Sequence, residues 1–201
     1  MNKGLLLVIS APSAGGKGTI LNELFQRDSN LRMSVSATTR SPRPGEEHGK
    51  QYYFLSREEF QELVEKGSML EHAEYVGNFY GTPKDPVERW RAEGLDVVLE
   101  IEVQGGAQIK RTAPDCVSVF IVPPSMEILE KRLRNRGTED EETIQKRLDT
   151  ARKEIPQAQN YDYIVVNDRL EDAAEDLQAI LRSEKRKYER NAELIHELVT
   201  P

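Results

Sequence analysis

The sequence predicts a three-layer α/β/α fold around a central parallel sheet, and two observations carry this prediction. Short apolar runs that are rich in β-branched residues recur along the chain, at residues 5–9, 97–103, 117–122 and 163–166. The segments between them have helical spacing, and strands that alternate with helices form parallel sheets with helices on both faces. A chain of 201 residues is also long enough to bury one sizeable core and to carry a small additional lobe.

Two segments interrupt this alternation. Residues 34–80 contain no long helical pattern and are rich in polar, aromatic and turn residues, whereas residues 125–155 are almost entirely helical and crowded with charge. We therefore predict a small mixed lobe and a helical lid beside the sheet. The predicted division of the chain is core at 1–33, small lobe at 34–84, core at 85–124, lid at 125–157, and core with a C-terminal helix at 158–201.

Local signals predict where individual helices begin. Capping boxes at residues 56–59 and 138–141 each predict a helix start, and Asp85 followed by proline predicts another with Asp85 as the N-cap. A single apolar stripe runs from Leu170 to Tyr188, which predicts one amphipathic helix near the end of the chain.

Composition argues against several classes of protein. The net charge of −7 argues against a nucleic-acid-binding surface, and the longest apolar runs are far too short to cross a bilayer. The first residues lack the long apolar segment of a secretory signal, so the sequence predicts a cytoplasmic protein with no membrane or nucleic-acid partner. The single cysteine, Cys116, cannot form an internal disulfide and is expected to be a small buried residue beside a strand.

The most informative stretch is a glycine-rich loop at residues 11–18, between the first predicted strand and a helical segment at 19–26. Backbone N–H groups at such a helix start, together with the helix dipole and a mobile lysine, favour a bound polyphosphate. The loop therefore indicates a nucleoside triphosphate site, and the alternative is an ordinary glycine-rich turn. The predicted triphosphate-binding residues are Ala11, Pro12, Ser13, Ala14, Gly15, Gly16, Lys17, Gly18 and Thr19.

The glycine-rich loop departs twice from the strict pattern of phosphate loops. Ala11 occupies the position of the usual first glycine, and Gly18 occupies the position where a serine or threonine hydroxyl coordinates Mg²⁺. Mg²⁺ keeps several waters and relies on substrate phosphates, so the missing hydroxyl does not exclude it. The ending at residues 16–19, GKGT, resembles adenylate kinases and keeps a second class of kinase open.

A family resemblance begins at residues 36–46, which read SATTRSPRPGE, and continues through residues 49–54, 77–82, 99–105 and 166–168. These motifs follow in order and with matching spacing, and the chain resembles guanylate kinase, a family of P-loop nucleoside monophosphate kinases. The resemblance covers about residues 4–184 as one unit. It implies that ATP and GMP, with dGMP as a further acceptor, are converted to ADP and GDP with Mg²⁺, in purine nucleotide metabolism.

The resemblance also implies a GMP site in the small lobe. Arginines suit an acceptor phosphate because they bind it in a bidentate manner, and Glu71 suits guanine because a carboxylate accepts from N1–H and the exocyclic amine. Adenine would instead present a lone pair to that carboxylate. The implied residues are Arg40, Arg43, Tyr52 and Tyr80 at the acceptor phosphate, and Ser36, Glu71 and Thr82 at the base.

Glu100 and Glu102 alternate in the second apolar run, so a strand would place both carboxylates on one face, at the carboxyl edge of the sheet. By resemblance, Glu100 belongs to the water shell of Mg²⁺ and Glu102 to guanine or a nearby cation. The family often has aspartates at both positions, and the longer glutamates put these two roles in doubt.

The phosphoryl acceptor is already an anion, so the predicted reaction needs positioning and charge neutralisation but no general base. The resemblance implies that Lys17 bridges the β- and γ-phosphates and that three lid arginines clamp the transition state. These arginines are Arg132, Arg136 and Arg147, while Asn167 and Asp168 are implied near the adenine of ATP. Arg134 and Arg152 are expected to form solvated salt bridges instead.

Two other functions compete with this prediction. Guanylate-kinase-like domains of scaffold proteins bind phosphopeptides and have lost much of the ATP site, yet Lys17 and both arginine sets are present here. A kinase for another monophosphate would fit the GKGT ending, but Glu71 favours guanine. The sequence leaves open whether the protein is a monomer or a homodimer.

Overall fold

The computed structural model describes residues 3–135, 137 and 139–200, and it centres on a sheet of five parallel strands in the order β2-β7-β1-β8-β9. The strands are β1 (Leu6–Ser10), β2 (Leu31–Met33), β7 (Asp96–Glu100), β8 (Val117–Val122) and β9 (Tyr163–Val166). The neighbouring helices are α1 (Lys17–Arg27), α3 (Lys84–Ala92), α4 (Val103–Thr112), α7 (Leu170–Lys185) and α8 (Tyr188–Val199).

Both faces of this sheet are covered by helices, because successive side chains of a buried strand point to opposite sides. Leu7 and Ile9 of β1 face α1 and α7, in a core that also contains Leu24 and Leu177. The other β1 face packs with α3 and α4, in a second core of Leu6, Val8, Val87, Val97, Leu99 and Ile109. This arrangement confirms the predicted three-layer fold.

The predicted small mixed lobe is also present. Its sheet has the order β4-β3-β6-β5, in which β3 pairs parallel with β4 and antiparallel with β6. Phe60 of the adjoining helix fills a small core with Ala37 and Met69. The lobe consists of β3 (Ala37–Thr38), β4 (Tyr53–Phe54), α2 (Arg57–Glu65), β5 (Met69–Tyr75) and β6 (Asn78–Pro83).

The charged segment after β8 forms a helix pair, α5 (Met126–Asn135) and α6 (Glu141–Glu154), followed by a 3₁₀ helix at Ile155–Asn160. The two helices share a core of Leu129, Leu133, Ile144, Leu148 and Ala151. Ala14 of the glycine-rich loop packs against this core. The helix pair is therefore attached directly to the glycine-rich loop.

Two predicted boundaries on either side of β7 are wrong. The strand ends at Glu100, and Glu102 lies at the N-cap position of α4, so the two glutamates do not alternate along one strand. Helix α3 begins at Lys84 with Pro83 at the N-cap position, which makes Asp85 a first-turn acid and not the cap. In both cases the helix concerned, α3 or α4, begins earlier in the chain than the sequence pattern indicates.

The predicted single C-terminal helix is in fact two helices. Helix α7 ends at Lys185, and α8 begins at Tyr188, whose side chain is 68% exposed and lies outside the buried stripe. The break is stabilised by Asn191, whose Nδ2 donates to the carbonyls of Lys185 and Lys187 at 2.9 and 2.8 Å. The first of these bonds satisfies a carbonyl group that the end of α7 leaves without a helical partner, and the second joins Asn191 to the N-cap residue of α8.

Capping signals elsewhere were more accurate. The capping box of α2 is confirmed, since Glu59 N donates to Ser56 Oγ at 3.1 Å and Ser56 N donates to Glu59 Oε2 at 2.7 Å. Thr138, the first residue of the other predicted box, lies outside the described residues. The predicted start of that helix is wrong by two residues, since the N-cap of α6 is Asp140, whose Oδ1 accepts from Thr143 N at 2.9 Å. Cys116 is buried directly before β8, as predicted.

A buried polar network closes the amino edge of the sheet. Asp96, at the start of β7, is 1% exposed and accepts hydrogen bonds from Leu5 N at 2.8 Å and from Asn30 Nδ2 at 3.3 Å. Lys185 at the end of α7 forms an ion pair with the same carboxylate. Among the described residues, none of the helices combines the length and apolar character that a membrane span requires.

Candidate active site

The glycine-rich loop connects the carboxyl end of β1 to the first turn of α1. Gly16 is at the N-cap position with φ +85°, and a Cβ there would lie 2.2 Å from Asn167 Nδ2, so the position requires glycine. The N–H groups of residues 17–19 start the helix and have no intrahelical acceptor. The loop therefore presents donors and the positive end of the α1 dipole to an anion.

Three hydrogen bonds fix the shape of the glycine-rich loop. Asn167 Nδ2 donates to Gly15 O at 2.8 Å, and Gly15 N donates to Pro12 O at 2.8 Å. From the opposite side, Ser13 N donates to Glu154 Oε2 at 3.2 Å. The sequence assigned Asn167 to the adenine and gave Glu154 no role, whereas both of them brace the glycine-rich loop in this structure.

Lys17 lies between the carboxyl ends of β1 and β7. Its Nζ donates to Ile101 O at 3.1 Å and lies 3.8 Å from Glu100 Oε1. The Glu100 side chain is 39% exposed, while that of Lys17 is only 13% exposed. A cation that is held this close to the donor-rich loop suits a phosphate chain that enters from the solvent side.

A cavity of about 430 Å³ adjoins the glycine-rich loop, which is in the size range of small-molecule sites. Arg132 Nη2 donates to Asn167 O at 2.9 Å at its wall, while Arg132 Nη1 is buried without a partner among the described residues. A buried guanidinium donor without a partner is costly, and a bound anion or base would satisfy it. The cavity is lined by Ala14, Gly16, Thr19, Arg132, Asn135, Asn167, Asp168 and Leu170.

The helix pair brings a second predicted arginine to the loop. Arg147 Nη2 lies 2.6 Å from Glu139 Oε1, and Arg147 Nη1 donates to Ser13 Oγ at 3.2 Å. Glu139 is a residue that the sequence did not single out. Arg136 lies outside the described residues, so its position is not part of this description.

The other two arginines of the helix pair form exposed ion pairs, as expected. Arg134 contacts Glu130 at 2.7 Å and Glu141 at 2.5 Å, and Arg152 contacts Asp149 at 2.8 Å. The Arg134 hydrogen bonds lower the pKa of Glu141 to about 2. The side chains of these pairs are 40–65% exposed and belong to the solvated face.

In the small lobe, Arg40 is held in a fork geometry by a carboxylate. Its Nη1 donates to Glu46 Oε2 at 3.0 Å and its Nη2 donates to Glu46 Oε1 at 2.9 Å, while Arg43 N donates to Glu46 Oε2 at 2.7 Å. The hydrogen bond from Arg40 lowers the pKa of Glu46. The carboxylate thus occupies the kind of bidentate position that a phosphate prefers.

Two tyrosines complete this part of the lobe. The guanidinium carbon of Arg40 lies 5.5 Å from the centre of the Tyr52 ring, and the rings of Tyr52 and Tyr80 are 6.0 Å apart. The predicted acceptor-phosphate residues Arg40, Tyr52 and Tyr80 are therefore gathered in one place. The Arg43 side chain is exposed at the adjoining loop.

The predicted base-reading residues lie on the paired strands β5 and β6. Glu71 pairs directly with Thr82, and the buried Thr82 hydroxyl donates to Glu71 Oε1 at 2.8 Å. Burial raises the pKa of Glu71. A Cβ on Gly105 would lie 3.5 Å from Glu71 Oε2, so α4 approaches the carboxylate closely. Ser36 is half-buried directly before β3.

The predicted metal-associated carboxylates are not brought together as a strand pair. Glu100 ends β7 and Glu102 begins α4. No group of three or more histidine, cysteine, aspartate or glutamate side chains is placed to hold a metal ion within the part of the chain that the structure describes.

Sequence reasoning missed Glu46, Glu139 and Glu154, which hold Arg40, Arg147 and Ser13. One signal was available for Glu154, since it follows Arg147 by seven residues and shares its face of a helix. The contacts of Glu46 and Glu139 depend on loop geometry, which helical or strand periodicity does not report.

The fold and this site define an α/β protein of the P-loop phosphotransferase class, with a donor-rich loop at the carboxyl edge of a parallel sheet. A family model described as guanylate kinase matches residues 3–184. A guanylate kinase of Desulfitobacterium hafniense is 52% identical over 189 residues, which cover 94% of each chain. One from Clostridioides difficile is 47% identical and covers 98% of this chain and 96% of its own.

A solved structure agrees with these relatives. The crystal structure of guanylate kinase from Anaplasma phagocytophilum matches with a TM-score of 0.72 and 40% identity, covering 94% of this chain and 90% of that one. The chain belongs to the guanylate kinase family, whose members are nucleoside monophosphate kinases.

Proposed function

We propose that this chain transfers the γ-phosphoryl group of ATP to GMP, and also to dGMP, giving ADP and the nucleoside diphosphate in the cytoplasm. The observation that carries the choice of base is the Glu71–Thr82 pair in the small lobe, with 2.8 Å between its oxygens. Ionised Glu71 accepts from guanine N1–H and its exocyclic amine, while the Ser36 hydroxyl donates to O6 or N7 and the Thr82 hydroxyl does so by turning its proton away from Glu71. An adenine ring leaves this carboxylate without donors, which costs several kcal/mol of discrimination.

ATP occupies the glycine-rich loop and the adjoining cavity. The N–H groups at the start of α1 bind the β- and γ-phosphates, and Lys17 bridges them. The adenine lies in the cavity lined by Asn167 and Asp168. The buried Arg132 Nη1, at the wall of this cavity, gains a partner in the phosphate chain. Each of residues 11–19, in the glycine-rich loop and the first turn of α1, contributes to this ATP site.

GMP places its phosphate beside Arg40. Phosphate replaces the Glu46 carboxylate in the guanidinium fork, and Arg43, Tyr52 and Tyr80 add donors. The attacking oxygen is already anionic near neutral pH, so the reaction needs in-line placement and charge neutralisation. Glu102, at the start of α4, serves guanine or a nearby cation.

Residues 125–157 form the lid of this proposal, residues 34–84 the GMP-binding lobe, and the remaining residues the core. Lid arginines Arg132, Arg136 and Arg147 neutralise the transferring phosphoryl group. Arg147 reaches it by leaving Ser13 Oγ, which lies 3.2 Å from Nη1 in this structure.

The chemistry of the donor set fits Mg²⁺ bound with ATP, because oxygen ligands and waters suit this ion. Glu100, which is partly exposed beside Lys17, would hold a water of its shell. When bound, Mg²⁺ neutralises charge on the β- and γ-phosphate oxygens.

The test is an assay of ADP release from MgATP with GMP, dGMP, AMP, CMP, UMP or dTMP as the acceptor. We expect release with GMP and dGMP, loss of at least about 1000-fold in kcat for Lys17→Ala, and a rise of at least about 10-fold in the KM for GMP for Glu71→Gln. Release with AMP would overturn the choice of base. GMP binding without ADP release would indicate a binding module.

A further inference from the structure

Helix α6 contacts the glycine-rich loop at one residue from two directions. Arg147 and Glu154 are seven residues apart, which places them two turns apart on one face of the helix. Arg147 Nη1 donates to Ser13 Oγ at 3.2 Å, and Ser13 N donates to Glu154 Oε2 at 3.2 Å. The amide and the hydroxyl of Ser13 are therefore both bound to α6.

The next residue explains why the loop needs this support. Ala14 has φ +64°, a left-handed conformation that costs a residue with a Cβ about 1–2 kcal/mol. Its methyl group packs against the apolar core of the α5–α6 pair. The strained Ala14 and the doubly bound Ser13 together attach the first half of the loop to α6, while Asn167 holds the second half through Gly15 O.

A carboxylate such as Glu154 is unfavourable beside a phosphate-binding loop, because carboxylate and phosphate are both anions. Burial and the neighbouring Glu102 raise the pKa of Glu154, whereas Ser13 N–H and Lys17 lower it. The negative charge of Glu154, which Lys17 favours, also repels the anionic phosphates of ATP. The hydrogen bond from Ser13 N to Glu154 offsets this repulsion, because it holds the loop in place before ATP binds.

We propose that Glu154 is a positioning residue of the phosphotransfer reaction. By holding the Ser13 amide, its carboxylate fixes the first half of the glycine-rich loop against α6. This contact sets the distance from Arg147 to the phosphates that the second half of the loop binds. The inference rests on the proposed function for its kinetic part and on the structure alone for the contact between Glu154 and the loop.

The experiment compares Glu154→Ala, Glu154→Gln and a control, Glu142→Ala. The alanine variant removes the acceptor of the Ser13 N–H, while the glutamine variant keeps an acceptor oxygen and loses the charge. Glu142 lies on the exposed face of the same helix, where its Oε1 is 2.6 Å from Lys146 Nζ. Removing it tests for a general effect of losing a carboxylate from α6.

The first readout is amide hydrogen exchange in residues 10–19, which does not depend on turnover. We expect exchange at Ser13 to become at least about fivefold faster in Glu154→Ala and to remain at the wild-type rate in Glu154→Gln and Glu142→Ala. Unchanged exchange in Glu154→Ala would show that the carboxylate does not hold the loop and would overturn the proposal.

The second readout is steady-state kinetics with MgATP and GMP. We expect Glu154→Ala to lower kcat by about 10- to 100-fold with the KM for GMP unchanged, because small displacements of reacting groups have effects of this size. Glu154→Gln should recover at least about half of the wild-type kcat. A wild-type kcat in Glu154→Ala, or no recovery in Glu154→Gln, would overturn the positioning role.

The two readouts separate the two proposals. A wild-type protein that fails to phosphorylate GMP while Ser13 exchange still responds to Glu154→Ala would overturn the proposed function and support the contact. Kinetics that follow the prediction without any exchange response would overturn the contact and support the function.

Discussion

The Thr82 hydroxyl donates to Glu71 Oε1 across the β5–β6 pair, with 2.8 Å between the two oxygens. Burial nevertheless dominates over this bond, and the pKa of Glu71 is raised above its ordinary value. Burial of the ionised carboxylate therefore costs free energy. A ligand with two adjacent N–H donors removes that cost, which links the stability of the lobe to its specificity.

The raised pKa of Glu71 predicts a pH-dependent stability difference. A group with a raised folded-state pKa stabilises the fold below its unfolded pKa, and this stabilisation is lost as the pH rises through the folded pKa. Glu71→Gln cannot ionise, so it should unfold about 2–4 °C above the wild type at pH 7, and the difference should vanish below about pH 4. Thermal unfolding at pH 4 to 8 measures this.

Glu74→Gln is the matched control for this comparison, because Glu74 is exposed on the same strand. It should change the Tm by less than about 1 °C at every pH. A Glu71→Gln protein that is less stable than the wild type at pH 7 would contradict the prediction.

The fork geometry of Arg40 predicts that lysine cannot replace it. Arg40→Lys keeps the charge and loses the two parallel donors that now meet Glu46, so the KM for GMP should rise about 10- to 100-fold while the KM for ATP changes less than about twofold. Arg57→Lys, in which the guanidinium over Phe79 is replaced in the same lobe, should leave both constants unchanged. Equal effects of the two variants would argue against a specific role for Arg40.

Two glycines of the loop should respond in opposite ways to serine. At Gly16, φ is +85° and a Cβ would lie 2.2 Å from Asn167 Nδ2, so Gly16→Ser should weaken ATP binding at least about 10-fold. At Gly18, a Cβ meets no atom within 4 Å among the described residues, so Gly18→Ser should fold normally and unfold at an equal or higher temperature. ATP titrations and thermal unfolding of both variants decide this, and a destabilised Gly18→Ser protein would contradict it.

The position of Glu100 predicts a change in metal dependence. Glu100→Gln keeps the size of the side chain and removes the charge beside Lys17 Nζ, so the Mg²⁺ concentration for half-maximal rate should rise about threefold or more. Measuring the rate against Mg²⁺ at fixed ATP gives this value. An unchanged requirement would assign Glu100 to the placement of Lys17 instead.

The sequence predicted strands correctly where a single pattern, a short β-branched run between two helical segments, determined the structure. The runs at 117–122 and 163–166 became β8 and β9 at the predicted residues, because short β-branched segments between helices have few alternatives. The run at 97–103 was extended too far, since the alternation of Glu100 and Glu102 continues into a segment that turns into α4. Alternation alone does not mark the last residue of a strand.

Site residues could be predicted where they belong to a recognised sequence motif. Contacts between side chains that are distant in the sequence could not be predicted. Glu71 and Thr82 were placed together as the motif implied. The contact between Glu154 and Ser13 joins residues 141 positions apart, and no local pattern encodes it. Lys187 and Asn191 likewise interrupt the C-terminal helix through specific hydrogen bonds that the apolar stripe does not show.

Asp96 lies at the amino edge of the sheet, opposite the glycine-rich loop, with Asn30, Lys185 and the Leu5 amide around it. Its ion pair with Lys185 joins the start of β7 to the end of α7, beside residue 184 where the family match ends, and its bond with the Leu5 amide adds the residue before β1. Substitutions that adapt the stability of this protein to heat or salt can therefore occur at this edge without altering the site. Substitutions around Asp96 should therefore change the Tm and leave kcat nearly unchanged, because the glycine-rich loop lies at the other end of β1.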